Sequence, residues 1–237
     1  MKARPDGKAV QQMFAEIAPR YDFLNHFLSI SIDRRWRKVT VARAAASLKG
    51  KSNPICLDLC SGTGDLAIEM NRGLSVPVVA SDFCHPMLIR GLEKARSSRQ
   101  DASIPFIEAD SLVLPFEQET FDVTTVAFGL RNLEDTEQGL REMKRVLKPG
   151  GTALVLEFSR PVVPVFRQLF EFYFHHILPH VGALISGQNS AYSYLPASVS
   201  RFPAQRELAA MMESVGFKEV GYRNLSGGIA ALHWAIK

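Results

Sequence analysis

The middle of the chain alternates between short β-branched runs and amphipathic stretches, and that alternation narrows the fold more than any other feature. Ile55 to Leu59, Val76 to Ser81, Ile104 to Ala109, Phe121 to Ala127 and Thr152 to Phe158 read as buried strands. Helical patterns lie near 64–72, 86–97 and 134–148. Alternation at this spacing implies a parallel sheet with helices on both faces. The 134–148 helix is punctuated clearly. Leu140, Met143 and Leu147 form its apolar face, Lys144, Arg145 and Lys148 suit its C-terminal dipole, and Pro149-Gly150-Gly151 stops it.

The flanks complete the pattern. The first 50 or so residues have helical character: Met13, Phe14 and Ile17 share a face, and Asp33 is placed to cap a helix running to Leu48. After the fifth strand comes an aromatic stretch with Phe166, Phe170, Phe172, Tyr173 and Phe174. Pro203 then opens a helix with Leu208, Met211, Met212 and Val215 inward, closed by Gly216. Two strands follow, Phe217 to Asn224 and Ile229 to Ile236, joined by Leu225-Ser226-Gly227-Gly228. A dehydrogenase-type dinucleotide fold would continue with βα units instead of ending on this hairpin. With 237 residues and no linker-like segment, the chain reads as a single domain over 1–237. It carries an N-terminal helical cap over 1–50 and a helical insertion on the substrate side over 160–202.

Several function classes fall away on composition. The net charge of +4 is mild and the basic residues are scattered, with no zinc-finger spacing or recognition-helix signature, so no nucleic-acid partner is expected. Three cysteines without a CxxC pair suit a reducing compartment and argue against a disulfide framework. There is no apolar leader and no spanning run, so the expected location is the cytoplasm. His176 and His180 would share a helix face, but Pro179 interrupts it, and no metal site is expected.

The strongest local signal is Leu57-Asp58-Leu59-Cys60-Ser61-Gly62-Thr63-Gly64-Asp65. It follows a strand and opens a helix, where Gly62 and Gly64 let backbone approach a ligand. Gly62-x-Gly64-x-x-Ala67 also fits a dinucleotide-binding turn. Asp58 separates the two readings: a carboxylate there suits the ammonium group of S-adenosylmethionine and would repel a pyrophosphate. Asp82 ends the second strand about 20 residues after Gly62, where an acidic residue accepts from both ribose hydroxyls of an adenosine. Asp110 ends the third strand, able to accept from an adenine amino group, with Ser111 alongside. Each carboxylate could instead cap the following helix. Three at successive strand ends nevertheless line the usual ligand edge of an open α/β sheet.

These residues belong to a longer series. Met13-Phe14, Ile17-Ala18-Pro19-Arg20-Tyr21-Asp22, Asn25 and Trp36-Arg37 precede the glycine loop. Phe128-Gly129-Leu130-Arg131-Asn132, Leu147-Lys148-Pro149-Gly150-Gly151 and Leu156-Glu157-Phe158-Ser159 follow it. Tyr192-x-Tyr194-Leu195, Phe202-Pro203, Gly216-Phe217, and Gly227-Gly228-Ile229 with His233 close the series. Over nearly its whole length the chain resembles the ubiquinone/menaquinone-biosynthesis C-methyltransferases, most of all the members that methylate demethylmenaquinone. It departs from them at Ser31, Ala127 and Ala235, where glycine, serine and glycine are usual. The resemblance implies a class I S-adenosylmethionine-dependent methyltransferase fold, Rossmann-like, with a seven-stranded mostly parallel sheet ending in an antiparallel hairpin. It also implies S-adenosylmethionine as cofactor, with Thr63, Asp82, Asp110 and Ser111 as contacts, and a polyprenylated quinol as substrate.

Methyl transfer from a sulfonium is an in-line displacement that relies mostly on proximity and alignment. The acceptor carbon becomes nucleophilic when the neighbouring hydroxyl is held as a phenolate. Arg131 and Asn132, just past the fourth strand, are the expected stabilisers of that oxyanion. An ion pair from Arg131 to Glu134 is the structural alternative. Tyr21, Asp22 and His233 are the alternative bases for the ring proton, since an arginine is a poor one. The aromatic stretch over 166–178 serves as core packing or, as a stripe, shelters a prenyl tail or touches a membrane surface. Peripheral contact with the inner face of the cytoplasmic membrane, and a homodimer, stay open at this level.

Overall fold

The computed structural model describes residues 5–22, 31–97, 104–162, 168 and 190–237. The aromatic stretch from Phe166 to Phe174, His175, His176, His180 and Asn25 lie outside the described residues, as does most of the 160–202 insertion. In chain order the elements are α1 (Gly7–Ile17), a 3-10 turn (Ala18–Arg20), α2 (Ile32–Leu48), β1 (Cys56–Leu59), α3 (Asp65–Leu74) and β2 (Val78–Asp82). There follow α4 (His85–Ser97), β3 (Phe106–Glu108), β4 (Phe121–Ala127), a 3-10 turn (Leu130–Asn132), α5 (Thr136–Val146) and β5 (Leu147–Phe158). The chain closes with α6 (Ser190–Arg201), α7 (Gln205–Ser214), β6 (Lys218–Leu225), a 3-10 turn (Ser226–Gly228) and β7 (Ala230–Ile236).

The strands form one seven-stranded sheet in the order β3-β2-β1-β4-β5-β7-β6. The first five are parallel, and β7 lies antiparallel between β5 and β6. The β5–β7 register runs from Thr152 opposite Ile236 to Phe158 opposite Ala230. Successive residues serve opposite faces. Cys56, Val123, Leu154 and Leu156 pack against α2 and α3 through Trp36, Ala44, Leu66 and Met70. Leu57, Leu59, Val126 and Val155 pack against α5 and α7 through Leu140, Met143, Leu208 and Met212. Each fully buried leucine among them contributes about 1.5–3 kcal/mol over exposure. Chain order reverses between β1 and β4, which makes the C-terminal ends of those strands the topological switch point.

Four local expectations are corrected. Asp33 does not cap α2; Ser31, in the left-handed region at φ 57, precedes the helix. Asp33 lies buried in the first turn, where the Arg37 guanidinium donates to it at 2.5 Å, a stronger partner than a free amide. The 134–148 helix is shorter, from an Asp135 cap to Val146, because Leu147 turns extended and pairs with Phe121. Lys144 and Arg145 keep their places in the last turn, Lys144 reaching the Val215 carbonyl, whereas Lys148 passes into β5 and reaches the Asp122 carboxylate at 2.7 Å. β2 and β3 also start later than expected, at Val78 and Phe106, just past Pro77 and Pro105. A proline offers no amide to a ladder, and these two contribute their carbonyls to Cys56 and Ala80.

Candidate functional site

The loop after β1 is built from backbone that side chains would obstruct. Gly62 has φ 56 and Gly64, the residue before α3, has φ 77. A Cβ at Gly64 would meet the Phe106 ring at 2.8 Å, so only glycine fits there. The Ser61 amide donates to the Ser81 carbonyl at 2.9 Å and Gly64 donates to Ser61 at 2.8 Å, closing the turn on itself. Gly62 donates instead to Asp82 Oδ2 at 2.8 Å. One strand-end carboxylate thus holds the loop of its neighbour.

Beside this loop, at the switch point, lies a cavity of about 230 Å³. Gly62, Asp82, Asp110 and Ser111 line one side, Ala127, Phe128, Gly129 and Asn132 the other, and Gln11, Phe14 and Tyr21 the cap side. Helix α1 is anchored at two points on this rim. The Gly7 amide donates to Glu134 Oε1 at 2.6 Å, and the Gln11 amide nitrogen donates to the Phe83 carbonyl at 2.5 Å. The cap therefore bridges the ends of β2 and β4.

The carboxylates occupy three different environments. Asp82 is 6 % exposed; burial pushes its carboxyl up to about 6, against the pull of amides from Cys84 and Gly62. Its Oδ1 accepts from Cys84 at 2.9 Å and its Oδ2 from Gly62, which leaves about two lone-pair positions of four for a ligand. Asp110 is exposed on the cavity rim, with Oδ1 accepting the Leu112 amide at 2.8 Å. Ser111 Oγ faces Cys60 Sγ at 3.3 Å. Asp58 is not part of the cavity wall. It lies behind the loop, accepting from Thr125 Oγ1 at 2.6 Å and from the Ala67 amide, and burial raises its carboxyl to about 7.

Thr63 is also turned from the cavity wall, into a charged network. Its hydroxyl donates to Asp22 Oδ1 at 2.5 Å. Lys94 Nζ lies 2.6 Å from Asp22 Oδ2, within reach of Thr63 at 3.3 Å, and against Asp65. Arg37 bridges Asp33 and Asp65, the latter at 3.1 Å. Five charged groups from the cap, α2, α3 and α4 thus fasten Asp22 to the start of the glycine loop.

At the end of β4, Phe128 has φ 58 and donates its amide to the Leu156 carbonyl at 2.8 Å. The turn it opens carries Arg131 and Asn132 in different directions. Arg131 is absent from the cavity wall, and its partner is Glu157, not Glu134. Nη1 lies 2.8 Å from Glu157 Oε1 with side-chain exposures of 7% and 2%, and it also donates to the Phe128 carbonyl. The Phe158 ring stacks 5.4 Å from its guanidinium carbon. Burial raises the Glu157 carboxyl, opposed chiefly by Arg131. Asn132 does line the cavity, and its Oδ1 accepts from the Tyr194 hydroxyl at 3.1 Å. His233 is buried on β7 beneath α7, with Nε2 2.9 Å from the Gln205 carbonyl and its ring 5.3 Å from Tyr222. Burial lowers its pKa, and it shares no wall with the cavity.

Of the expected site residues, the fold therefore gathers Tyr21, Gly62, Asp82, Asp110, Ser111 and Asn132 around one cavity. Asp22, Asp58, Thr63, Gly64 and Arg131 support that wall from behind, and His233 stands apart. Glu157 and Lys94 were not singled out from sequence. A lone carboxylate in the apolar run Thr152-Ala153-Leu154-Val155-Leu156-Glu157-Phe158 is a signal for the first. Nothing local distinguishes Lys94 from other helical lysines. Among the described residues no cluster of histidine, cysteine and acidic side chains could hold a metal ion, and no helix is long and apolar enough to cross a membrane.

Comparison with known proteins bears on this site. The sequence model of the ubiE/COQ5 methyltransferase family matches residues 1–237. The chain is 47% identical over 227 residues to a demethylmenaquinone methyltransferase of Deinococcus radiodurans, covering 95% of this chain and 91% of that one. It is 45% identical to a ubiquinone/menaquinone biosynthesis C-methyltransferase of Geobacter sulfurreducens, covering 98% and 89%. A demethylmenaquinone methyltransferase of Thermus thermophilus is 46% identical, with 93% and 98% covered. Among solved structures, an S-adenosylmethionine-dependent methyltransferase of Aquifex aeolicus aligns with TM-score 0.59 at 16% identity, covering 83% and 88%. The [4+2]-cyclase SpnF aligns with TM-score 0.72 at 15% identity, covering 100% and 98%. Fold likeness to a cyclase leaves the reaction open, and the residues of the site must decide it.

Proposed function

The chain belongs to the ubiE/COQ5 methyltransferase family, and from that premise we propose that it moves the methyl group of S-adenosylmethionine onto a ring carbon of a polyprenylated demethylmenaquinol or a related benzoquinol. One observation carries the reading: Asp82, Gly62 and Asn132, from three strand ends, meet at a single cavity under a cap. The donor set fits an adenosine. Asp82 has lone pairs left for a ribose diol, and Asp110 is an exposed acceptor on the rim for an adenine amino group, with Ser111 beside it. Gly62 has no side chain to bar the approach. Asp58, expected to meet the ammonium group, acts in this reading through the first turn of α3, whose Ala67 amide it accepts.

When bound, S-adenosylmethionine supplies an electrophilic methyl group on a sulfonium, whose sulfur departs as a neutral thioether. The protein's part is alignment and charge. Asn132 donates to the quinol oxygen as negative charge gathers on it, which favours the phenolate and enriches the adjacent ring carbon. The new carbon–carbon bond forms as the sulfur–carbon bond breaks, and the ring then loses a proton to restore aromaticity. Tyr21 is the candidate base on the cavity wall, and Asp22, held behind it by Thr63 and Lys94, would take that proton only by relay through a water or the Tyr21 hydroxyl. His233 is too enclosed for the task. Phe14 and Phe128 keep water from the cavity, and α1 closes over it. Peripheral membrane contact through the Phe166 to Phe174 stripe is part of the proposal, because a prenylated substrate resides in lipid.

Purified protein with S-adenosylmethionine should methylate prenylated demethylmenaquinol at carbon, read by mass spectrometry and by loss of the ring proton in NMR. A demethylated benzoquinol in parallel reports the choice of ring. Methylation confined to oxygen, or none with cofactor bound, would overturn the assignment.

A further inference from the structure

We infer that Tyr194 is a positioning residue which fixes the Asn132 amide so that an N–H, and not the amide oxygen, is presented to the substrate oxygen. The inference rests on the quinol reading above and deepens it at one residue.

Two contacts define the amide. The Tyr194 hydroxyl is 3.1 Å from Asn132 Oδ1, and Asn132 Nδ2 is 3.4 Å from the Phe128 carbonyl. Turning the amide over would set Oδ1 against that carbonyl oxygen, two acceptors with no proton between them. The carbonyl therefore selects the orientation, and Tyr194 holds it by donating to the oxygen so exposed. An amide nitrogen has two hydrogens. One serves Phe128, and the other is left for the cavity that Asn132 lines.

The arrangement is backed on both sides. Arg131 Nη1 also donates to the Phe128 carbonyl, and Glu157 fixes Arg131 through both its amide and its guanidinium. Burial raises the Tyr194 phenol above its ordinary value, so it stays a neutral donor. Tyr194 lies on α6, whereas Asn132 follows β4, so the contact ties the end of the 160–202 stretch to the turn beneath the cavity. The side of the protein assigned to the prenylated substrate thereby sets the donor that meets its ring.

The test uses 4-nitro-1-naphthol, a bicyclic phenol whose colour reports its ionisation, bound to the full-length protein. A donor aimed at the phenolate should raise the ionisation constant of the bound phenol by about tenfold or more. Tyr194→Phe and Asn132→Ala should each lose most of that shift, and the double variant should lose no more than Asn132→Ala alone. Turnover of the quinol should fall about 10- to 100-fold in Tyr194→Phe with cofactor affinity unchanged. The inference is overturned if the parent does not shift the probe, if Tyr194→Phe keeps the parent's shift while only its melting temperature falls, or if the two losses multiply. A parent that shifts the probe but leaves every prenylated quinol unmethylated would sink the functional reading and leave the role of Tyr194 standing.

Discussion

Arg131→Leu removes the cation from a carboxylate with almost no access to water. Glu157 then keeps two amide donors, from Arg131 and Phe158, but no counter-charge at 2% side-chain exposure. Breaking a buried pair from one side costs about 3–5 kcal/mol, and in a domain of this size that lowers the melting temperature by about 6–20 °C at pH 7. The pH dependence follows from the sign of the Glu157 shift. Its folded pKa is raised above the ordinary 4.5, so the folded state holds this proton more tightly than the unfolded chain does. The stability it contributes is present at low pH and is lost as pH rises through the folded value. Removing Arg131, which opposes the shift, widens that window upward. The deficit of Arg131→Leu should therefore shrink when the pH is lowered from about 7 to 5, and Arg131→Leu with Glu157→Gln should recover stability at pH 7 without that dependence. Urea unfolding of the three proteins at both pH values measures this. A single variant that unfolds with the parent at pH 7, or a deficit indifferent to pH, would refute the buried-pair argument.

Three further outcomes are expected. Asp82→Ala should weaken S-adenosylmethionine binding by about 1.5–3 kcal/mol, and affinity for the parent should fall as pH drops below about 6, because only the ionised carboxylate accepts from both hydroxyls; calorimetry checks both, and a flat profile counts against Asp82 as the ribose contact. Lys94→Met leaves Asp22 and Asp65 facing each other without their shared cation, so trypsin should cut after Arg20 faster than in the parent; equal rates would mean the network does not hold the cap. Phe170→Ser with Phe174→Ser should reduce recovery with anionic liposomes in flotation. Recovery equal to the parent's would assign the stripe to packing or to nothing.

The layered sheet was legible because its evidence is local and periodic: apolar runs such as Phe121 to Ala127 recur between helical patterns, and glycine and proline mark the joints. That the strand ends share one cavity was legible for the same reason. Asp82, Asp110 and Gly62 are each positioned by the end of a strand, and parallel strands bring such ends to one side. What the sequence could not tell was where long side chains settle. Arg131 and Asn132 are adjacent, and both follow β4, yet one is drawn inward by Glu157 and the other faces the cavity. That choice depends on which carboxylate the sheet buries beside the turn, and Glu157 comes from β5, 26 residues away in sequence. His233, grouped with the bases by its motif, belongs to the strand the hairpin inserts beneath α7, where burial keeps it neutral and enclosed. Asp22 and Lys94 meet only because cap and α4 converge on the glycine loop. Local periodicity determined the scaffold and which strand ends meet at its cavity. Desolvation decided the rest, since each buried charge took the partner the tertiary structure brought within reach.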